Sequence, residues 1–350
     1  MNETRAMRRA LDLAWRGWGR VHPNPMVGAV VLRGTAKVGE GFHEEYGGLH
    51  AERVALDAAG QRARGGTLVL TLEPCAHQGK QPPCTDAILT AGVKRVVAAC
   101  ADPNPLAAGG AAILREHGVE VEIGLLEQEA RRQNALFLHA AREVARPFVA
   151  LKLAASMDAR IADHAGQSRW VSGPEALKYV HWLRAGFDAI AVGGRTARAD
   201  DPVLTVRGTV APRIPPVRIV FDREGGLNPE SRLARSAGES PVLLVTAGTV
   251  PPVPGVKVVT AGSLYEALGA LRNRGITSLL VEGGGRLAGA LLEAQLVDRV
   301  YWIQAPVWLG ERGVPAFAGL GSPDLAAARR WSVVERRPLD QDTLLVLERN

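Results

Sequence analysis

The chain has 350 residues, of which 47% are hydrophobic and 22% charged, and its formal net charge is +6 at pH 7. This composition is typical of a globular protein of about two domains, at roughly 150 residues per domain, and it excludes an intrinsically disordered chain. No apolar run reaches the ~18 residues of a membrane span, so we expect no membrane partner, and we expect no signal peptide. The positive charge suits phosphate-bearing partners, although a solvated basic surface explains it equally well.

Short apolar runs alternate with helical patterns along the first half of the chain. The predicted elements are helix Glu3–Arg16, strand Val27–Leu32, helix Ala51–Ala59, strand Thr67–Thr71, helix Asp86–Ala91, strand Arg95–Ala99, helix Ala108–His117 and helix Glu127–Glu143. Pro147 then follows the last helix and precedes a new apolar run. Because proline ends helices and favours an extended predecessor, we predict a domain boundary near residue 146.

The same alternation continues in the second half. The predicted elements are strand Phe148–Leu153, helix Pro174–Ala185, strands Ala189–Val192, Val217–Phe221, Val242–Val245 and Lys257–Val259, helix Ser263–Asn273, strand Ser278–Val281, helix Arg286–Ala294 and strand Val300–Gln304. Alternating strands and helices indicate α/β layers with much parallel pairing. We therefore predict two α/β domains, residues 1–146 and 147–350. Unpaired strand edges make a homodimer or higher homo-oligomer the expected state.

Three cysteines, Cys75, Cys84 and Cys100, are too few and of the wrong number for a disulfide framework. Such cysteines are typical of a reducing compartment, so we expect a cytoplasmic protein in which thiols bind metal or catalyse. Cys100 ends a predicted strand and is interpreted as a buried structural thiol.

His50, Cys75 and Cys84 have the pattern of a catalytic zinc site. His50 and Cys84 each open a predicted helix, and Cys75 follows a predicted strand. One imidazole and two thiolates leave the fourth tetrahedral position of zinc open, as catalysis requires. Glu52 can accept a proton from an activated water and pass it to a leaving amine. Residues two apart in a helix face about 200° from each other, so a shared site requires His50 at the very start of the helix.

Two other functions remain open at this point. A nucleic-acid deaminase with an RNA-binding second half is opposed by the eight residues between Cys75 and Cys84, since the nucleic-acid enzymes have two. An aromatic content of 5% is also sparse for stacking on bases. A zinc-stabilised binding protein without catalysis is opposed by the open fourth position and by Glu52, because structural zinc sites usually have four protein ligands.

The first half resembles the deaminase half of the bifunctional riboflavin-biosynthesis enzymes, which are diaminohydroxyphosphoribosylaminopyrimidine deaminases and 5-amino-6-(5-phosphoribosylamino)uracil reductases. The matching stretches are HPNPMVGAVV (22–31), VGEGFHEEYGGLHAE (38–52), EPCAHQGKQPPC (73–84) and ADPNP (101–105). The resemblance implies a cytidine-deaminase-like α/β/α layer fold, the same three zinc ligands, and Glu52 as proton shuttle. It also implies substrate contacts at Asn24, His43 and His77. Gln81 stands where the family often has threonine.

In the second half, the stretch SLLVEGGGRLAGALL (278–292) reads as strand, triple glycine and helix. It lacks the GxGxxG spacing, so we exclude a Rossmann domain. Three earlier stretches precede it: KLAASMDARIA (152–162), GQSRWVSGPEA (166–176) and GGRTARADDPVLTVR (193–207). The four stretches, in this order, resemble the reductase half of the same family, which implies a dihydrofolate-reductase-like α/β fold and NADPH. The implied cofactor contacts are Ala154, Trp170, Thr196, Asp200, Asp222, Gly283, Gly284, Gly285, Arg286 and Leu287.

The same resemblance implies how a phosphoribosylated pyrimidine would bind in the second half. The substrate contacts are Ser168, Arg184, Leu204, Arg207 and Glu282. Lys152 and Asp200 are candidates for the proton donor in the reduction. Ala159 replaces a glycine that the family usually has, and Arg299 replaces an acidic residue. No nucleic acid is expected as a partner.

Overall fold

The structure, a computed structural model, describes residues 1–142, 144–223, 225–321 and 323–349. The chain divides into two compact units, and the second begins at Val144. Both units mix helices with a central sheet, as the sequence predicts. Among the described residues, no helix has the length and apolar character needed to cross a membrane.

The first unit is built on one sheet. Its strands are β1 (Gly28–Arg33), β2 (Ala36–Phe42), β3 (Thr67–Leu70), β4 (Arg95–Ala98) and β5 (Glu120–Ile123), in the order β2-β1-β3-β4-β5. Its helices are α1 (Glu3–Ala14), α2 (Ala51–Ala59), α3 (Cys84–Ala91), α4 (Gly110–Glu116), α5 (Glu127–Gln133) and α6 (Ala135–Ala140). Strand β1 is antiparallel to β2 and β3, whereas β3, β4 and β5 run parallel.

The core of the first unit lies between this sheet and its helices. Val30 and Val31 are successive residues of β1, point to opposite faces and are both fully buried. A sheet buried on both faces needs helices on both, which explains the apolar stripe of α1 at Ala6, Met7 and Ala10. The packing places the amino ends of α2 and α3 near the carboxyl end of β3.

The second unit contains a longer, mostly parallel sheet. Its strands are β6 (Phe148–Ala155), β7 (Arg160–Ala162), β8 (Ala189–Gly193), β9 (Val217–Phe221), β10 (Val242–Thr246), β11 (Val256–Thr260), β12 (Ser278–Glu282), β13 (Arg299–Gln304), β14 (Val314–Pro315), β15 (Trp331–Leu339) and β16 (Asp342–Arg349). Its helices are α7 (Pro174–Arg184), α8 (Gly194–Asp200), α9 (Arg232–Arg235), α10 (Leu264–Arg272) and α11 (Gly285–Glu293). The main sheet has the order β11-β10-β9-β8-β12-β6-β13-β16-β15, and β7 pairs with β14.

Strands β8, β12 and β6 are adjacent and parallel in this sheet. Their carboxyl ends therefore meet at one edge, which is where ligands bind in open α/β sheets. The register pairs Lys152 of β6 with Glu282 of β12, and β8 ends at Gly193. The fold thus brings together three segments that are far apart in sequence.

The helix predicted over Glu127–Glu143 is wrong in one respect, because it is two helices that meet at Asn134. The Asn134 side chain accepts a hydrogen bond from the Met26 N–H and donates one to the Met26 carbonyl, both at 2.8 Å. This amide pairing fixes Asn134 between the helices. The predicted last residue, Glu143, lies outside the described residues.

The pattern also missed strands β2, β5, β7, β14, β15 and β16 and the short helices α8 and α9. Strands β15 and β16 form a hairpin at the edge of the sheet, and most residues of β15 are partly or fully exposed. A half-exposed edge strand carries polar residues on much of its length, so it lacks the apolar run that reveals a buried strand.

Candidate active sites

His50, Cys75 and Cys84 converge in the first unit, with their ligand atoms all within 4.8 Å of one another. His50 is the N-cap residue of α2, with extended backbone at φ −75° and ψ 157°, and Cys84 is the first residue of α3. The His50 Nδ1 lies 3.2 Å from the Cys84 Sγ and 3.6 Å from the Cys75 Sγ. Cys100 is fully buried elsewhere, with its Sγ 3.5 Å from the Thr71 carbonyl oxygen.

This donor set fits zinc. Two sulfurs and one imidazole nitrogen are the ligands that Zn²⁺ prefers, and three protein ligands are typical of its catalytic sites. A hydrogen bond from the Cys84 thiol, with further ones from His50 and the Cys84 N–H, lowers the pKa of Cys75. The site therefore stabilises a thiolate, which is the form that binds metal.

Glu52 lies in the first turn of α2 and is 4% exposed. Because His50 precedes the helix in extended conformation, both side chains reach one cavity although they are two residues apart. Burial raises the pKa of Glu52 above its ordinary value of 4.5. A buried carboxyl with a raised pKa can alternate between accepting and donating a proton.

The cavity beside the cluster has a volume of about 230 Å³ and is lined by Asn24, His43 and His77 as well as by Glu52. The His43 ring lies between two partners, with Nδ1 3.0 Å from the Leu49 carbonyl oxygen and Nε2 3.1 Å from the Asn24 Nδ2. The carbonyl can only accept, so Nδ1 carries the proton and Nε2 accepts from Asn24. Burial lowers the pKa of His43, which favours this neutral ring.

Sequence reasoning missed several residues that line the same cavity: Tyr46, Glu73, Lys80, Asp102 and Asn104. The Glu73 carboxylate accepts hydrogen bonds from the backbone N–H groups of Asp102, Gly109 and Ala111, at 3.0–3.2 Å. It thereby fixes the loop that carries Asp102 and Asn104. Glu73, Asp102 and Asn104 lie in the stretches EPC and ADPNP, which are the only sequence signal that could have pointed to them. Hydrogen bonds from backbone N–H groups to a glutamate cannot be recognised in a sequence.

The second unit has a larger cavity, of about 720 Å³, at the carboxyl ends of β6, β8 and β12. The predicted residues that line it are Lys152, Ala154, Ser168, Trp170, Arg184, Thr196, Asp200, Leu204, Glu282, Gly283, Gly284, Gly285 and Arg286. Parallel strand ends thus gather residues from positions 152 to 286. Arg195, whose guanidinium suits phosphates, also lines the cavity, as do Arg169 and Arg312, which were not among the predicted residues.

Three predicted contacts, Asp222, Leu287 and Arg207, are not among the described residues that line this cavity. Asp222 is buried and pairs with Arg198. The Arg207 backbone N–H donates to the Nδ1 of His181 at 3.2 Å. Leu287 packs near Gly193, at the end of β8.

Arg184 and Glu282 form a buried ion pair on the cavity wall, with both nitrogen–oxygen contacts between 2.5 and 2.9 Å. Burial alone would raise the pKa of Glu282, but the charges of Arg184 and Lys152 outweigh it and lower the pKa. Burial lowers the pKa of Lys152. Glu282 is therefore a carboxylate, and Lys152 holds its proton less firmly than an exposed lysine does.

The triple glycine leads from β12 into α11 and has the form of a cradle for phosphates. Gly283 and Gly284 have left-handed backbone, at φ 67° and 84°. A Cβ at Gly284 would lie 2.9 Å from the Thr196 Oγ1, so a side chain there would intrude on the cavity wall. Bare backbone N–H groups at a helix amino end bind phosphate, and the volume accommodates a dinucleotide, so these residues fit NADPH.

The comparisons with known proteins agree with both sites. Residues 1–100 match the cytidine and deoxycytidylate deaminase zinc-binding region, and residues 147–345 match the RibD C-terminal domain. The riboflavin biosynthesis protein RibD of Aquifex aeolicus is 39% identical to this chain, and the match covers 98% of this chain and 97% of the Aquifex protein. That of Escherichia coli is 38% identical over 99% of both chains.

A solved structure extends the likeness to the fold. The crystal structure of a diaminohydroxyphosphoribosylaminopyrimidine deaminase/5-amino-6-(5-phosphoribosylamino)uracil reductase from Thermotoga maritima superposes with a TM-score of 0.87, at 37% identity and 99% coverage of both chains. The predicted fold class, a cytidine-deaminase-like domain followed by a dihydrofolate-reductase-like domain, is confirmed.

Fold and sites together define a bifunctional enzyme with a zinc-dependent deaminase domain and an NADPH-dependent reductase domain. The chain belongs to the RibD family of riboflavin biosynthesis proteins. The predictions of bifunctional activity, of both cofactors and of a small-molecule substrate are confirmed by this membership. The second half matches a reductase domain, so the RNA-binding alternative has no support.

Proposed function

We propose that the first unit hydrolyses the 2-amino group of 2,5-diamino-6-(5-phosphoribosylamino)pyrimidin-4(3H)-one, releasing ammonia and 5-amino-6-(5-phosphoribosylamino)uracil. The second unit then reduces the ribosyl group of that product to ribityl. The observation that carries this proposal is the cluster of His50, Cys75 and Cys84 beside the buried carboxyl of Glu52. We assign the two activities to residues 1–146 and 147–350.

His50, Cys75 and Cys84 would hold zinc in the first unit. Zinc in such a site supplies Lewis-acid activation of water at neutral pH. Glu52 accepts the proton of the attacking water and delivers it to the departing amine. Asn24, neutral His43 and His77 line the cavity and orient the pyrimidine. The small cavity excludes bulk water from around Glu52.

In the second unit, the triple glycine and Thr196 would hold the cofactor, and NADPH supplies a hydride when bound. Ser168, Arg184, Leu204 and Glu282 line the space left for the phosphoribosyl group. We also propose contacts to Arg207, Asp222 and Leu287, which would have to move toward the cavity when a ligand binds. Lys152, with its lowered pKa, and Asp200 are the candidates that protonate the opened sugar.

The decisive experiment compares the natural chain with Glu52→Gln. The natural chain is expected to release ammonia from the diaminopyrimidine substrate and then to oxidise NADPH, followed at 340 nm. Glu52→Gln keeps the size of the side chain but loses its proton-accepting carboxylate, so deamination is expected to fall at least 100-fold.

Two controls accompany this comparison. Zinc content, measured by elemental analysis, is expected to be unchanged in Glu52→Gln, and so is NADPH oxidation with the deaminated substrate. Turnover of Glu52→Gln at the natural rate would contradict the shuttle role.

We further propose that the protein works in the cytoplasm as a homodimer or higher homo-oligomer. None of its three cysteines, all of which lie among the described residues, forms a disulfide, which suits a reducing compartment. The edge strand β15 offers backbone groups to a second copy. Analytical ultracentrifugation at micromolar concentration measures the oligomeric state, and a monomer would contradict that part of the proposal.

A further inference from the structure

Tyr46 and Lys80 form a contact at the mouth of the deaminase cavity that the mechanism above does not use. The Lys80 Nζ lies 4.0 Å from the centroid of the Tyr46 ring, and both residues line the cavity. Tyr46 belongs to the loop between β2 and α2, whereas Lys80 belongs to the loop between Cys75 and Cys84. The contact therefore joins the two loops that carry the metal ligands.

Further bonds hold these two loops together. The Gln81 side chain donates from Nε2 to the Gly47 carbonyl at 3.0 Å. The Tyr46 backbone N–H donates to the Arg20 carbonyl at 3.3 Å, and Arg20 pairs with Glu45 at 2.9 Å. Tyr46 thus belongs to a loop that these contacts hold against the rest of the first unit. A cation held against such a ring has a defined position.

Lys80 is the only lysine or arginine among the described residues that line this cavity. Glu52, Glu73 and Asp102 line it as well, so its inner wall carries carboxyl groups and its single long cation lies on an exposed loop. A substrate whose pyrimidine reaches Glu52 must leave its phosphate at the mouth. A phosphate dianion there is best matched by the ammonium of Lys80.

We propose that Tyr46 is a positioning residue that holds the Lys80 ammonium, through its ring face, where the substrate's phosphate arrives. This inference rests on the proposed function, because it assumes a phosphorylated pyrimidine substrate. The ring covers one side of the ammonium and leaves its other N–H donors for phosphate oxygens. Prior placement of a flexible lysine reduces the entropy that binding would cost, so the effect falls on KM.

The test compares Tyr46→Leu with Tyr46→Phe, in the natural chain and in Lys80→Met. An exposed cation–π contact of ~0.5–1 kcal/mol corresponds to a roughly two- to five-fold change in affinity. Tyr46→Leu keeps apolar bulk but loses the ring, so KM for deamination is expected to rise by about that factor with kcat unchanged. Tyr46→Phe keeps the ring and is expected to retain the natural KM.

Two further arms isolate the phosphate and the lysine. In Lys80→Met, the added Tyr46→Leu change is expected to have no further effect on KM. With the dephosphorylated riboside as substrate, Tyr46→Leu and the natural chain are expected to have equal KM. Zinc content of the same proteins, measured by elemental analysis, is the control for folding of the first unit, and it is expected to stay constant.

The proposal is overturned if Tyr46→Leu keeps the natural KM, if its effect persists in Lys80→Met, or if Tyr46→Phe is as impaired as Tyr46→Leu. If the natural chain releases no ammonia from the phosphorylated substrate, the proposed function itself fails, and this inference fails with it. The two failures are distinct because the first leaves deamination by the natural chain intact.

Discussion

Ala159 is an alanine at a position where the backbone conformation favours glycine. It has left-handed backbone, at φ 57°, where the family usually has glycine. Its N–H donates to the Ser156 carbonyl and its own carbonyl accepts from the Ala316 N–H at 3.0 Å, so the turn is fixed from both sides. The Cβ of a non-glycine residue disfavours this conformation, and the bonds around the turn impose it.

Replacing Ala159 by glycine is expected to stabilise the second unit by about 0.5–1 kcal/mol. Glycine removes the ~1–2 kcal/mol cost of a left-handed alanine, and the greater freedom of the unfolded chain offsets part of this gain. Denaturant unfolding of the full chain measures the change. A loss of stability would mean that the alanine methyl makes packing contacts worth more than the backbone strain.

Single residues were predictable where a side chain does its chemistry directly. His50, Glu52, Cys75 and Cys84 carry a spacing that chemistry demands. The structure brings His50, Cys75 and Cys84 together and places Glu52 in the cavity that His50 and Cys75 line. Glu73 was not predictable, because it acts only by binding backbone N–H groups of a loop that is distant in sequence. Asp222 was expected as a cofactor contact, but its pairing with Arg198 was not predictable, because that pairing depends on tertiary packing.

At the level of elements, Arg9 and Glu40 join α1 to β2. The Arg9 guanidinium contacts the Glu40 carboxylate with two hydrogen bonds, at 2.6 and 2.9 Å. The hydrogen bond from Arg9 lowers the pKa of Glu40 from 4.5 to about 2, and Lys37 contributes to the shift. The pair ties a strand that the sequence pattern missed to a helix that it predicted.

The Arg9–Glu40 pair is expected to make the stability of the first unit depend on pH. Because the folded pKa is depressed, the contribution is present above pH 4.5 and is lost as the pH falls toward about 2. Solvent screening limits it to about 1 kcal/mol. Unfolding of the natural chain and of Glu40→Gln, followed by circular dichroism, is expected to differ at pH 7 and converge near pH 2. A constant difference across this range would contradict the assignment.

Most of the strands that were predicted are buried, although the predicted β11 is a largely exposed edge strand. Strands β1, β3, β4, β6, β8, β9, β10 and β12 lie inside the two sheets and carry the continuous apolar runs that reveal them. The edge strands β5 and β15 carry charged residues among their apolar ones, and the edge strand β2 is broken by glycines that lie close to α2. Strand β16 was missed although it lies inside the sheet, between β13 and β15. Arg299 was noted as a departure, and it is buried beside Glu348 in β16, a strand whose existence was not foreseen.

At the scale of the whole molecule, each unit holds its own core and its own site. The apolar cluster of the first unit runs from Ala6 to Ala130, and those of the second lie beyond residue 148. The zinc cluster lies wholly in the first unit, and the cavity of about 720 Å³ lies wholly in the second. Each unit therefore contains one of the two candidate sites.

A fragment of residues 1–146 is expected to fold, bind zinc and release ammonia from the diaminopyrimidine without NADPH. Circular dichroism, elemental analysis and an ammonia assay measure the three properties. Residues 147–350 form the matched fragment, which is expected to oxidise NADPH with the deaminated substrate. A folded and zinc-loaded fragment without deaminase activity would show that the two units depend on each other.

The wall of the reductase cavity has one more consequence, which follows from its charges. Cationic side chains outnumber carboxylates six to two in the described lining: Lys152, Arg169, Arg184, Arg195, Arg286 and Arg312 against Asp200 and Glu282. These cations attract an anionic ligand, and at physiological ionic strength dissolved salt screens the attraction beyond about 8–10 Å. The positive charge of the reductase cavity therefore attracts both of its anionic ligands, a dinucleotide and a sugar phosphate, as they approach. The zinc cavity is lined by carboxyl groups, so its side chains attract an approaching anion less strongly.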